Sequence, residues 1–230
     1  MTSSVEWVPA PRDGFWRIGR SPDPIYFAPP PDPAILDSRT AGNRFDSPTR
    51  SYSACYFATE LDGCFGETLS RFRPDPGLSS IAAEDASHGF MLSGEVPADW
   101  RHRRLEVRAT PSPGQPERFL DVEALGTRQA LRGELGGLLA FYGYQDLDVA
   151  VIRGGDRRIT RWVGAWAHEH EDRTGVPLYA GIRYLSRLNT AWECWAVFNR
   201  VELTELERKP ILRGDAALSR ISSSFGLRVY

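Results

Sequence analysis

The chain has 230 residues, with 28 Lys+Arg against 30 Asp+Glu and a formal net charge of -2. That near-balance excludes a generic basic nucleic-acid binder. A content of 41% hydrophobic and 11% aromatic residues excludes a wholly disordered chain, and the length is ample for a hydrophobic core. Lys209 is the single lysine, so the other 27 bases are arginines. A GC-rich genome explains such a bias as readily as anion binding does. Cys55, Cys64 and Cys194 are too few and too scattered for a disulfide framework, which favours a reduced, cytoplasmic setting. The first residues lack the pattern of a secretory leader, and no apolar run approaches the length of a membrane span.

In chain order, residues 1–13 read as a loose lead-in, and 14–230 as one mixed α+β domain. FWRIGR (15–20) reads as a strand. The proline-rich 21–33 forbids helix and interior strand, so a rigid surface connector is expected. Residues 41–50 are turn-rich. A buried strand is expected over 53–59, then a helix over 60–72 with Leu61, Phe65, Leu69 and Phe72 on one face and Glu67 on another. RPDPG (73–77) stops that helix. Strand-like runs follow at 89–96, 103–110 and 118–125. Residues 126–143 are helical with glycine interruptions, and 147–154 reads as a strand. Thr160 is placed to cap a helix over 159–172. Strands at 180–188 and 194–203 and a helix at 215–226 complete the pattern.

Familiar chemical motifs are absent: there is no P-loop, no dinucleotide-binding glycine fingerprint and no nucleophile elbow. His168 and His170 in AHEHED are two residues apart, about 200° around a helix, so they cannot grip one ion. A solvated helix end is expected there, and no metal site. The cysteines sit in apolar company, where a thiol is inert. The better constellation is Arg44 after a flexible turn, Tyr56 in a strand, Glu67 in a helix and Ser186 far downstream. These offer an arginine for an anion, an aromatic for stacking, a carboxylate for a developing cation and a hydroxyl for orientation. Residue spacing alone does not separate this from ordinary structural pairing.

The run GNRFDSPTRSYSACYFATELDGCFGETL (42–69) resembles the N-terminal signature of RES-domain proteins. There a Gly-Arg-[Trp/Phe]-[Asn/Asp]-x-Pro pattern precedes a strand and a helix carrying Ala-x-x-Glu. PLYAGIRYLSRLN (177–189) resembles their second signature. The family takes its name from an Arg, a Glu and a Ser, which correspond to Arg44, Glu67 and Ser186; Tyr56 corresponds to its active-site tyrosine. Asn43, Gly66 and Ala180 depart from the usual residues, and 73–120 is longer than a minimal RES domain.

The resemblance implies an ADP-ribosyltransferase-like fold of central twisted strands with flanking helices. It implies an enzyme that cleaves NAD as substrate, with no metal or resident cofactor and with inorganic phosphate or water as acceptor. It further implies a toxin paired with a helix-turn-helix antitoxin of the Xre type, acting in the cytoplasm without direct nucleic-acid or membrane binding. Arg17, Arg183 and Arg187 are candidate substrate-binding cations, the last two sharing one face of a strand. The alternatives are mono-ADP-ribosylation of a macromolecule and a non-catalytic nucleotide- or partner-binding domain. The oligomeric state stays open, a dimer included.

Overall fold

The computed structural model describes residues 5–74 and 94–230. Its centre is a mixed sheet whose strands, in chain order, are β1 (Trp7–Pro9), β2 (Phe15–Arg20), β3 (Ala54–Ala58), β5 (Arg104–Pro111), β6 (Arg118–Asp121), β7 (Gly181–Leu185), β8 (Glu193–Phe198) and β9 (Leu203–Pro210). They lie in the order β1-β6-β7-β8-β3-β2-β5-β9. Within this sheet β6 and β7 run parallel and the other neighbours are antiparallel. A second, two-stranded sheet pairs β4 (Glu95–Val96) with β10 (Arg228–Val229).

Side chains alternate along the central strands and so feed two cores. Cys194, Ala196 and Phe198 of β8 and Ile182 and Tyr184 of β7 enter the larger one. It is covered by α2 (Leu61–Leu69), α7 (Arg158–Glu169) and α8 (Ala216–Phe225), among other helices. Cys55 and Phe57 of β3 and Trp195 and Val197 of β8 enter the smaller one. There Phe15 lies 4.6 Å from Phe57 and Phe119 lies 5.0 Å from Trp195, in tilted and edge-on ring pairs. The proline-rich loop closes this second face with Ile25 and Phe27.

Strand and helix at 54–69 form where the sequence places them, with Phe65, Leu69 and Phe72 buried and Glu67 exposed. Elsewhere the structure corrects the reading. Trp7–Pro9, expected to be loose, pairs with β6 as the edge strand. The run 147–154, expected to be a strand, holds the short helix α6 (Val149–Arg153), because the Asp148 side chain accepts the Val151 N–H and caps it. Thr160 does not cap α7; it is buried within it and donates to the Arg157 carbonyl. Residues 126–143 split into α4 (Leu125–Glu134) and α5 (Gly136–Phe141). The expected strand 194–203 ends at Phe198, and β9 is an additional strand. Of the run 89–96, residues 89–93 lie outside the described residues. Among the described residues no helix is long and apolar enough to cross a membrane.

Candidate active site

Strands β2 and β3 are joined by a single residue pair, Trp16 with Ala58. Where they part, a cleft of about 360 Å³ opens, bounded also by α2 and by residues of the 26–28 and 43–44 segments. That volume suits a small-molecule ligand. Arg44, Tyr56, Glu67, Arg157, Tyr184 and Arg187 all line it.

Glu67 reaches the cleft because α2 buries its opposite face. The hydroxyl of Ser186 donates to Glu67 Oε1 at 2.5 Å. Ser186 itself is fully buried, and its Oγ accepts the Leu188 N–H at 3.0 Å, which fixes the direction of the hydroxyl. The loop after β7 is tied down further: the Ser186 N–H donates to the Trp192 carbonyl, and the Trp192 N–H to that of Asn189, each at 2.9 Å. The Trp192 side chain packs against α2, where the helix carries Gly63 and Gly66. Two glycines in one helix are therefore the space into which the tryptophan fits.

Tyr56 presents its ring to the cleft from β3. Its hydroxyl accepts the Phe45 N–H at 3.0 Å and donates to Asp46 Oδ1 at 3.2 Å. Burial, then the Asp46 carboxylate, pushes its pKa well above the ordinary phenol value. Asp46 is the organiser of this turn, for it also accepts the Asn43 N–H at 2.6 Å.

Arg44 is anchored on the end of α6. Its Nη1 donates to the Ile152 carbonyl at 2.5 Å and the Gly154 carbonyl at 3.0 Å, and its Nη2 to that of Arg153 at 3.3 Å. These are the unpaired carbonyls of a helix C-terminus, a favourable seat for a cation. Burial, with Arg157 and Arg187 nearby, lowers its pKa, and Tyr184 and Glu67 oppose the shift. Arg157 donates to the Gly42 carbonyl, and Arg161, from the next turn of α7, to those of Ser38 and Ala41. The helix thus holds the segment that delivers Arg44.

Residues 15–216 match the RES domain family. The chain belongs to that family. Among solved structures it is similar to the MbcT–MbcA toxin–antitoxin complex of M. tuberculosis, at 11% identity and a TM-score of 0.46, over 94% of this chain and 92% of the other. Comparison with curated proteins gives no match.

In this RES domain three of the residues singled out by the signatures, Arg44, Tyr56 and Glu67, line one cleft, and the fourth, Ser186, is buried behind Glu67 and bonded to it. The weaker candidates divide. Arg187 is exposed at the cleft, beyond the end of β7. Arg17 lines it too, but its Nε and Nη1 donate to the carbonyls of Pro24 and Tyr56. Arg183 is not among the lining residues, a correction that follows from alternation. Its neighbour Tyr184 faces the cleft, so Arg183 points to the other side of β7, where it pairs with Asp121 at 3.2 Å and Glu193 at 2.8 Å. Arg183 and Arg187 share no strand face.

Sequence reasoning passed over Asp46, Arg157 and Tyr184. The Asn/Asp position of the first signature was a usable signal for Asp46. Nothing local marked Arg157 among so many arginines. At the end of α7 the two histidines are half-buried, His168 stacked on Tyr52 at 4.5 Å and His170 on Trp166 at 4.1 Å, while Glu169, Glu171 and Asp172 are exposed, as a solvated helix end requires. All three cysteines are free and buried, and burial pushes the Cys64 thiol up to about 12. Among the described residues no group of three or more His, Cys, Asp or Glu could hold a metal ion.

Proposed function

We propose that this RES domain degrades NAD by breaking the nicotinamide–ribose bond, with phosphate or water as acceptor. We further propose that it is the toxin of a toxin–antitoxin pair, blocked by a helix-turn-helix partner of the Xre type. The observation that carries the enzymatic reading is the 2.5 Å contact of Ser186 with Glu67 in a cleft lined by Arg44, Arg157 and Arg187. An arginine-rich cleft with one oriented carboxylate suits an anionic substrate on which positive charge develops at one point.

The C–N bond breaks with its electron pair leaving on nicotinamide, and the ribose passes through an oxocarbenium-like state. The Glu67 side chain faces that charge. Ser186 occupies Oε1 and leaves Oε2 for a ribose hydroxyl. The Tyr56 ring, its hydroxyl held by Phe45 and Asp46, offers a surface on which the nicotinamide stacks. Arg187 and Arg157 take the pyrophosphate. Arg44, whose Nη atoms are committed to α6, contributes chiefly its charge. An oxygen of phosphate or water then bonds to the ribose carbon and loses its proton to solvent, giving ADP-ribose-1″-phosphate or ADP-ribose.

Purified protein incubated with NAD, with and without phosphate, tests this. Nicotinamide release is expected, and ³¹P NMR of the product separates the two acceptors. No release under either condition, from folded protein free of partner, overturns the reading. Growth arrest on expression, relieved by an adjacent helix-turn-helix gene, tests the toxin assignment.

A further inference from the structure

Tyr26 is 58% exposed and lines the cleft. A solitary exposed aromatic is ordinary, but this one is held in place. Its neighbours Ile25 and Phe27 both pack into the smaller core, whereas Tyr26 and Ala28 line the cleft. The segment is fastened at several points. Arg17 Nε donates to the Pro24 carbonyl at 2.7 Å, and Arg17 Nη1 to the Tyr56 carbonyl at 2.8 Å. Cys55 Sγ approaches the Ile25 carbonyl at 3.7 Å, and Arg208 donates to that of Pro22 at 3.1 Å. The loop runs so close over β2 that a Cβ on Gly19 would lie 2.0 Å from the Pro24 oxygen. The ring is therefore presented without the ordering cost that a mobile loop would carry on binding.

We propose that Tyr26 is a stacking platform for the purine base of the dinucleotide, at the end of the cleft away from the bond that breaks. The inference rests on the reading of the cleft as an NAD site. NAD carries two flat groups joined by a pyrophosphate. The cleft supplies two tyrosines, Tyr56 from β3 and Tyr26 from the anchored loop, with arginines in the same lining. Tyr56 packs on the larger core beside the Asp46 turn, whereas the segment that carries Tyr26 packs on the smaller core, on the other face of the sheet. Stacking on an open aromatic face recognises a base by its flat surface.

Binding of adenosine monophosphate and of nicotinamide mononucleotide, measured separately by titration calorimetry, tests the assignment. Wild-type protein is expected to bind both. Tyr26→Ala is expected to weaken adenosine monophosphate about tenfold, to leave nicotinamide mononucleotide unchanged, and to keep the wild-type melting temperature. Tyr26→Phe is expected to bind both as wild type does. Equal weakening of the two mononucleotides in Tyr26→Ala, unchanged adenosine monophosphate binding, or none by the wild type overturns the proposal. Tyr26-dependent binding of adenosine monophosphate by a protein that releases no nicotinamide from NAD would leave the stacking site standing and remove the proposed reaction.

Discussion

The indole of Trp192 occupies the space that a side chain at Gly66 would need: a Cβ there would lie 2.2 Å from Cζ3 and 2.4 Å from Cη2. Alanine in a helix interior is ordinarily about 1 kcal/mol better than glycine. Here the overlap reverses the sign. Because the Trp192 carbonyl holds the Ser186 N–H, a displaced indole moves the hydroxyl off Glu67. Gly66→Ala is expected to lower the melting temperature and cut nicotinamide release roughly 10- to 100-fold. Adding Trp192→Leu frees the space and should recover the stability lost to overlap, with a coupling above about 1 kcal/mol in a double-mutant cycle. An unchanged melting temperature in Gly66→Ala would remove the steric account.

Glu67 and Ser186 should separate in their effects. Glu67 is exposed on α2, so Glu67→Gln is expected to leave stability within about 0.5 kcal/mol. Its kcat should fall about 10²-fold or more. Ser186 is buried and serves the Leu188 N–H as acceptor, so Ser186→Ala should cost about 1 kcal/mol as well as activity. Chemical denaturation beside single-turnover kinetics reads both.

Two arginines four residues apart should behave as opposites. Arg187→Ala is expected to raise KM for NAD severalfold with the melting temperature unchanged, because Arg187 stands exposed at the cleft. Arg183→Ala strips Asp121 and Glu193 of their partner on the far side of β7. It should destabilise the domain by about 1–3 kcal/mol and leave KM alone.

His168 sets a pH dependence of stability. Burial against Tyr52, with Arg200 nearby, lowers its pKa from 6.5 to about 4. The unfolded chain therefore binds more protons than the folded one between those values. The contribution is present above about 6.5 and is lost as pH falls towards 4. Glu106, raised to about 7 by burial and by Asp215, contributes with the opposite sign, favouring the fold at lower pH. Comparing wild type with His168→Phe cancels that second effect. The variant keeps a ring on Tyr52 and should lose less stability than wild type between pH 7 and pH 5.

The parts of the fold legible in the sequence are those where one local signal dominates. The strand and helix at 54–69 follow from a compact apolar run, a helical stripe and a proline stop. The run 147–154 failed because a short β-branched stretch has no period to read, and one capping aspartate decided for helix. At the site, residue type singled out Glu67 and Ser186, but only the resemblance joined them, since residues 119 apart have no local relation. Arg183 was paired with Arg187 because the strand was read to 188; β7 ends at Leu185, so Arg187 reaches the cleft from the loop while alternation turns Arg183 away from it. Arg157 matters only after α7 has folded over the 38–42 segment.

The part of the sheet where β2 and β3 separate has a mechanical consequence. With one residue pair joining these strands, the guanidinium of Arg17 on β2 spans the opening, Nη1 holding the Tyr56 carbonyl of β3 and Nε the Pro24 carbonyl of the loop. A lysine lacks the planar fork that makes both bonds at once, so Arg17→Lys is expected to loosen this link between β3 and the loop while every strand stays intact.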